Sequence, residues 1–194
     1  RREVGPGHAQ CGVEGGQLAG DGGRDEIVFG ALGVPGANLS PVSLPNAGHT
    51  MPTQNYGIAC GLEQEPYIGK CAYDSAREIL GWTYGKLAAA GSKPAGKFIQ
   101  FDQRAYIPAR SAGAFSWSTG LDTTGWAYVP NTCAKGEKCR VHIALHGCKQ
   151  GQSYLPLTPP PGGGLYNGTT FVKNTGYDRW ADKNHLVILY PQAV

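Results

Sequence analysis

Between Cys139 and Cys148 the chain alternates and then meets a glycine. Val141, Ile143 and Leu145 fall on one side of an extended chain, and His142, Ala144 and His146 on the other. This strand runs straight into Gly147. A loop rich in Pro and Gly follows, including Pro159-Pro160-Pro161-Gly162-Gly163-Gly164. A helical stretch spans Phe171 to Lys183, with a break expected near Gly176. Then comes His185-Leu186-Val187-Ile188-Leu189-Tyr190, apolar on both faces, as suits a strand buried in a parallel sheet. Strand, loop, helix, apolar strand is a βαβ crossover, which puts the chain in the α/β class.

Other elements agree with that class. Residues 74–90 predict a helix. Asp74 or Ser75 can cap it, and Ala76, Ile79, Leu80, Tyr84 and Leu87 recur at helical spacing. Gly91 supplies a left-handed stop. Lys97 to Arg104 and Thr124 to Pro130 read as strands. Residues 1–45 are different: they are Gly-rich and hold no sustained period, with only Glu26-Ile27-Val28-Phe29 suggesting a short strand. The expected organisation is therefore a poorly readable segment over 1–45 and one catalytic-type domain part over 46–194.

Several function classes find no support. Charged residues make up 16% of the chain and the formal net charge is only +3, without the clustered Lys and Arg of a nucleic-acid surface. No apolar run approaches the roughly 18 to 20 residues that span a bilayer. Oligomeric state leaves no trace in the sequence. The chain shows no signal peptide and no initiator Met, its one Met being Met51, so it reads as a fragment. Six cysteines suit an oxidising compartment, extracellular or periplasmic. Cys60 and Cys71 bracket a Pro-containing loop, and Cys133 and Cys139 flank a short hydrophilic one. Both pairs read as disulfides, which leaves Cys11 and Cys148 over. The zinc reading is weaker, because neither Cys-x2-Cys nor a paired His motif occurs.

Two motifs carry possible chemistry. In His146-Gly147-Cys148 a glycine ends a buried strand. Backbone N–H groups after such a Gly can point at a developing oxyanion, at about 2.7–4 kcal/mol per donor. The plainer reading is a strand-to-loop turn. In Asn46-Ala47-Gly48-His49 a His follows small residues on a loop, which lets its ring reach a nucleophile. The plainer reading there is a solvated side chain, and that reading serves for His8, His142 and His185. No Gly-x-Ser-x-Gly occurs, and Asp21 and Asp25 stand where an acid member would precede His49.

Residues 46–194 resemble the poly(3-hydroxybutyrate) depolymerase family of esterases. The resemblance is carried by Asn46-Ala47-Gly48-His49, Cys60-Gly61, Pro66-Tyr67-Ile68, Cys71-Ala72-Tyr73-Asp74, Phe101-Asp102-Gln103, Tyr128-Val129-Pro130, Leu145-His146-Gly147-Cys148-Lys149-Gln150, Gly176-Tyr177-Asp178-Arg179-Trp180-Ala181-Asp182 and Leu189-Tyr190-Pro191-Gln192. It implies part of an α/β-hydrolase fold in circularly permuted order, with a mostly parallel sheet and flanking helices. It implies His49 as catalytic base and Cys148 as oxyanion donor through its backbone N–H. The nucleophilic Ser and the acid would lie upstream of Arg1 or within residues 1–45, and a Trp-rich segment with a Cys able to pair with Cys148 would lie beyond Val194. The implied substrate is a polyester of short 3-hydroxy acids or its oligomers, with no cofactor and no metal. Three other readings stay open. The chain can be the first half of an ordinarily ordered esterase. It can be a carbohydrate-ester or feruloyl esterase. It can also be a non-catalytic polymer-binding piece, whose Trp82, Trp117, Trp126 or Trp180 touch polymer.

Overall fold

A computed structural model of the chain describes residue 29 and residues 31–106, 120–154 and 168–194. Two sheets organise them. The smaller has β1 (Met51–Thr53), β2 (Ile58–Ala59) and β3 (Ile68–Lys70), ordered β1-β3-β2 with both pairs parallel. The larger has β4 (Lys97–Asp102), β5 (Thr124–Val129), β6 (Arg140–Ile143) and β7 (Leu186–Tyr190), ordered β4-β5-β7-β6.

The expectation of a mostly parallel sheet needs correcting for this larger one. Its β4–β5 and β5–β7 pairs are antiparallel, and only β6–β7 is parallel. That parallel pair is the crossover read from the sequence. Between its strands lie α3 (Thr170–Asn174) and α4 (Tyr177–Asn184), with Gly176 at φ +89° between them. The break expected there follows from that left-handed residue, which glycine adopts without steric cost.

Helix α1 (Ser75–Tyr84) begins as expected, with Asp74 Oδ1 accepting the Arg77 N–H at 3.0 Å. It ends earlier than expected. Gly85, at φ +81°, stops it, and Leu87 reaches the core from a loop. Its buried stripe is Ser75, Ala76 and Leu80, while Ile79 points outward. A short α2 (Asn131–Ala134) has no clear apolar period and was not predicted.

The core lies between α1, α3 and α4 and one face of the larger sheet. Leu80, Val172, Tyr128, Leu186, Ile188 and Tyr190 are at its centre, with Met51 of β1 packed against it. Polar groups at its edge are tied down: Tyr128 Oη donates to Asp182 Oδ1 at 2.9 Å and accepts from the Gly96 N–H at 2.8 Å. Burial pushes the Tyr177 hydroxyl up to about 12 and holds Tyr190 above the ordinary phenol range too. Disulfides join Cys60 to Cys71 and Cys133 to Cys139, and Cys148 is disulfide-bonded as well, where the sequence reading had left it over. Trp126 and Trp180 pack against the core, Trp82 is exposed, and Trp117 lies outside the described residues, as do residues 1–28 with Asp21 and Asp25. Residues 31–45 include a 3-10 turn, Gly36–Asn38, and none of them is buried.

Candidate active site

The parallel pair β6–β7 delivers the candidate site at its C-terminal end, where α/β sheets commonly hold ligands. The ladder continues one residue past β6, with the Ala144 N–H donating to the Leu189 carbonyl at 2.8 Å. The chain then turns. His146 Nε2 accepts the Ala193 N–H at 3.0 Å, and its Nδ1 lies 2.8 Å from the Gly147 carbonyl. With Nε2 accepting, a neutral His146 carries its proton on Nδ1 and donates to Gly147. Both ring nitrogens are thus used to fasten the turn to the segment after β7. The fit is close, since a Cβ on Gly151 would stand 2.6 Å from the Ala193 carbonyl oxygen.

Gln150 closes the turn from inside. Only 6% exposed, its Oε1 accepts the Gly147 N–H at 2.7 Å, and its Nε2 donates to the Tyr67 carbonyl at 2.8 Å. The His146-Gly147-Cys148 turn is thereby tied to the loop before β3, which contains a cis Glu65–Pro66 bond. Lys149 adds an outer contact, with Nζ 3.4 Å from Tyr67 Oη. That hydrogen bond favours its charged form.

A buried amide network stands behind the turn. The Gln152 N–H donates to Gln192 Oε1 at 2.9 Å, and the Gln192 N–H to Gln103 Oε1 at 2.9 Å. Gln103 Nε2 returns to the carbonyls of Asp122 and Gln192. Asp122 accepts from the Ser153 hydroxyl. Buried polar groups need partners, and a network in which each amide has several fixes the loop that it backs.

The loop carrying His49 is held by a separate set of bonds. The Gly48 N–H donates to the Cys60 carbonyl at 2.7 Å, and the His49 N–H to Glu63 Oε1 at 3.1 Å. A Cβ on Gly48 would stand 2.4 Å from the Leu62 carbonyl oxygen, so only glycine permits this approach. The 60–63 segment is itself stapled by Cys60–Cys71. His49 therefore enters on an anchored backbone with an exposed side chain.

These two loops meet. His49, Gly147 and Cys148 line one cleft of about 480 Å³, together with Met51, Tyr67, Leu145, Lys149, Gln150 and Phe171. The two residues singled out in the sequence, nearly 100 positions apart in the chain, thus share one wall-and-floor arrangement. The cleft thus has His49 and the Gly147-Cys148 turn among its lining, together with the apolar Met51, Leu145 and Phe171. Tyr67, Gln150 and Phe171 were not given roles in the sequence reading. Gln150 had a weak signal, as the last residue of the motif that begins at Leu145. Among the described residues no group of three or more His, Cys, Asp or Glu is arranged to hold a metal, and no helix is long and apolar enough to cross a membrane.

No family model matches the chain. Two curated proteins are similar to it. A polyhydroxybutyrate depolymerase of Talaromyces funiculosus is 40% identical over 163 residues, covering 81% of this chain and 42% of the relative. A poly(3-hydroxybutyrate) depolymerase of Delftia acidovorans is 39% identical over 163 residues, covering 82% of this chain and 29% of the relative. The chain thus spans less than half the length of these relatives. Solved structures agree. The crystal structure of the PHB depolymerase from Penicillium funiculosum matches with a TM-score of 0.66 at 40% identity, over 81% of this chain and 45% of the other. A PHB depolymerase complexed with an R3HB trimer matches with a TM-score of 0.67 at 41% identity, over 82% of this chain and 45% of the other. Alike in sequence and in backbone over some four fifths of its length, the chain belongs, in that stretch, to the polyhydroxybutyrate depolymerase family.

Proposed function

We propose that this chain supplies the base and the oxyanion turn of a serine-esterase site that hydrolyses poly(3-hydroxybutyrate) or short hydroxyalkanoate oligomers. The observation that carries the reading is the shared cleft: His49 lines it beside Gly147 and Cys148. The names of the relatives supply the substrate class, and one structural neighbour is a complex with an R3HB trimer. Met51, Leu145 and Phe171 give that cleft the apolar lining that suits a short acyl chain.

In this reading the nucleophile is a Ser outside residues 46–194, which hold no Gly-x-Ser-x-Gly. The order is then that of a circularly permuted α/β-hydrolase, with Ser and acid first, His49 next and the oxyanion turn last. His49 takes the Ser proton as the hydroxyl adds to the ester carbonyl, and returns it to the departing hydroxyl of the shortened polymer. Water, deprotonated by the same imidazole, then attacks the acyl-enzyme and releases the acid. As the resemblance to the family implies, the donor role at the oxyanion goes to the Cys148 backbone N–H, while the Gly147 N–H is bonded to Gln150. No cofactor enters these steps. The disulfides suit the extracellular space or the periplasm, where such a polymer would be met.

The test is p-nitrophenyl butyrate and hydroxybutyrate-trimer turnover. The chain alone is expected to be inactive. Co-expressed with the portion of the Talaromyces funiculosus depolymerase that it does not match, it is expected to turn over both. His49→Ala should remove that activity by 10³-fold or more, in the usual range for a triad member (on the order of 10³–10⁶). Turnover by the chain alone, or turnover that survives His49→Ala, overturns the reading.

A further inference from the structure

Two residues that line the candidate cleft have backbones that most side chains avoid. Lys149 has φ +61° and Tyr67 φ +55°, both in the left-handed region. Such conformations persist where the surroundings over-determine them, and they gather at ligand sites. Here the buried Gln150 holds both segments, through the Gly147 N–H and through the Tyr67 carbonyl. The two side chains meet. Lys149 Nζ donates to Tyr67 Oη at 3.4 Å and lies 5.7 Å from the centre of its ring.

The cleft offers this cation no matching anion. Among the described residues that line it, Lys149 alone carries a permanent charge, and none is acidic. Glu65 also favours the ammonium form, but it does not line the cleft, and its Oε1 accepts from the Tyr154 hydroxyl at 2.9 Å. An ammonium has three N–H donors, and Tyr67 takes one.

We propose that Lys149, with the Tyr67 hydroxyl beside it, receives the free carboxylate of a hydroxyalkanoate oligomer, and so directs the cleft to chain ends and short oligomers over the uncharged interior of the polymer. The ligand follows from the chemistry. Each cut in a polyester of hydroxy acids leaves a free carboxyl group, ionised at neutral pH, and the interior of the chain has none. That carboxylate belongs to the alcohol half of the last ester, so the lysine marks the side of the cleft on which the shortened acid departs. An ammonium and a phenol hydroxyl can donate to one carboxylate together, and charge-assisted bonds of this kind are the strong ones. The inference rests on the reading of this cleft as an ester site.

The test is an NMR titration of the 15N-labelled chain at neutral pH with the trimer of (R)-3-hydroxybutyrate, as the free acid and as its methyl ester. Shifts of the amides of residues 147–149 give the two affinities. The acid should bind about fivefold or more tightly than the ester at low ionic strength, and the gap should narrow as salt is raised. Lys149→Gln should erase the gap, Lys149→Arg should keep most of it, and Tyr67→Phe should reduce it. Unchanged amide shifts away from the turn check that each variant keeps its fold. Equal affinities for acid and ester, a gap that survives Lys149→Gln, or no shift with either ligand would each overturn the inference. A preference for the acid without ester turnover in the co-expression assay would leave it standing and count against the catalytic reading alone. Turnover without the preference would do the reverse.

Discussion

Gln150 Oε1 accepts the Gly147 N–H at 2.7 Å, and through this bond a buried amide sets the direction of the turn on which Cys148 sits. The other end of the same amide donates to the Tyr67 carbonyl. Two loops distant in sequence therefore share one side chain. Gln150→Ala should leave the Gly147 N–H without its partner and the Tyr67 carbonyl with the Met51 N–H alone, at a cost of about 1–3 kcal/mol. Gln150→Glu keeps the acceptor but sets a buried carboxylate oxygen against the Tyr67 carbonyl, so it should cost at least as much as the alanine. Urea denaturation of the three proteins reads the order. Hydrogen exchange at Gly147 should speed up in the alanine variant and stay slow in the glutamate one.

Cys60–Cys71, at a sequence separation of 11, closes a loop that carries two of the anchors of the His49 loop, the Cys60 carbonyl and Glu63. Cross-linking of this span restricts the unfolded chain and is worth about 2–3 kcal/mol. Replacing both cysteines by Ala should lower stability by that amount. It should also raise amide exchange at Gly48 and His49, whose donors rest on the freed segment. Replacing Cys133 and Cys139 instead, at a sequence separation of 6, should destabilise without touching those two amides. Mass-resolved hydrogen exchange on both double variants separates the effects.

What could be read from the sequence follows from where each signal originates. The strand before Gly147, read up to His146 although β6 stops at Ile143, the apolar strand through Tyr190 and the break at Gly176 are local patterns, and local patterns survive in a single chain. The short strands β1 to β3 are two or three residues long, too few to show a period, and include Pro52 and Gly69. They are strands because tertiary contacts make them so. Helix α1 was read past its end because Leu87 keeps the apolar spacing, yet Gly85 stops the helix and Leu87 packs against the core, partly buried, from a loop. The antiparallel placement of β5 against β7 depends on pairing between residues some 60 apart, for example Ala127 with Leu189, and no pattern within either strand encodes it. His49 and Cys148 were chosen from motif chemistry. Their common cleft is a property of the fold, and the residues that hold it, Gln150, Gln152 and Gln192, carry their meaning in partners that the sequence does not name.

Asp74 joins two helices. Its Oδ1 caps α1 through the Arg77 N–H, and its Oδ2 accepts the Trp180 Nε1–H of α4 at 3.0 Å. Asp74→Ala removes a cap worth about 0.5–2 kcal/mol and strands a half-buried indole N–H. A total loss of about 2 kcal/mol is expected. Asp74→Asn keeps one acceptor oxygen and can serve only one of the two donors, so it should fall between Ala and the parent. Guanidinium denaturation followed by tryptophan fluorescence measures both, since Trp180 reports on the site itself.

His142 gives the chain a pH dependence whose sign can be worked out. Its ring is half-buried between Tyr84 and Tyr177, with centroids at 5.8 and 5.4 Å, and burial holds its pKa below the usual 6.5. In the unfolded chain the ring protonates near its ordinary value; in the folded chain it resists the charge. The unfolded state therefore binds the proton first as the pH drops. Stability contributed by the neutral ring is complete above about pH 6.5 and is lost on acidification toward the lower folded value. Asp178, next to Tyr177 on α4, acts in the opposite sense, because burial raises its pKa and protonation at low pH relieves a buried charge. Comparing the parent with His142→Gln cancels the Asp178 contribution common to both. The midpoint of thermal unfolding should fall more steeply between pH 7.5 and pH 5 in the parent than in the variant (a window of about one to two units around the ordinary His pKa). Equal slopes would mean that the ring is protonated as readily in the folded chain as in the unfolded one, and that the packing of Tyr84 and Tyr177 does not exclude the charge.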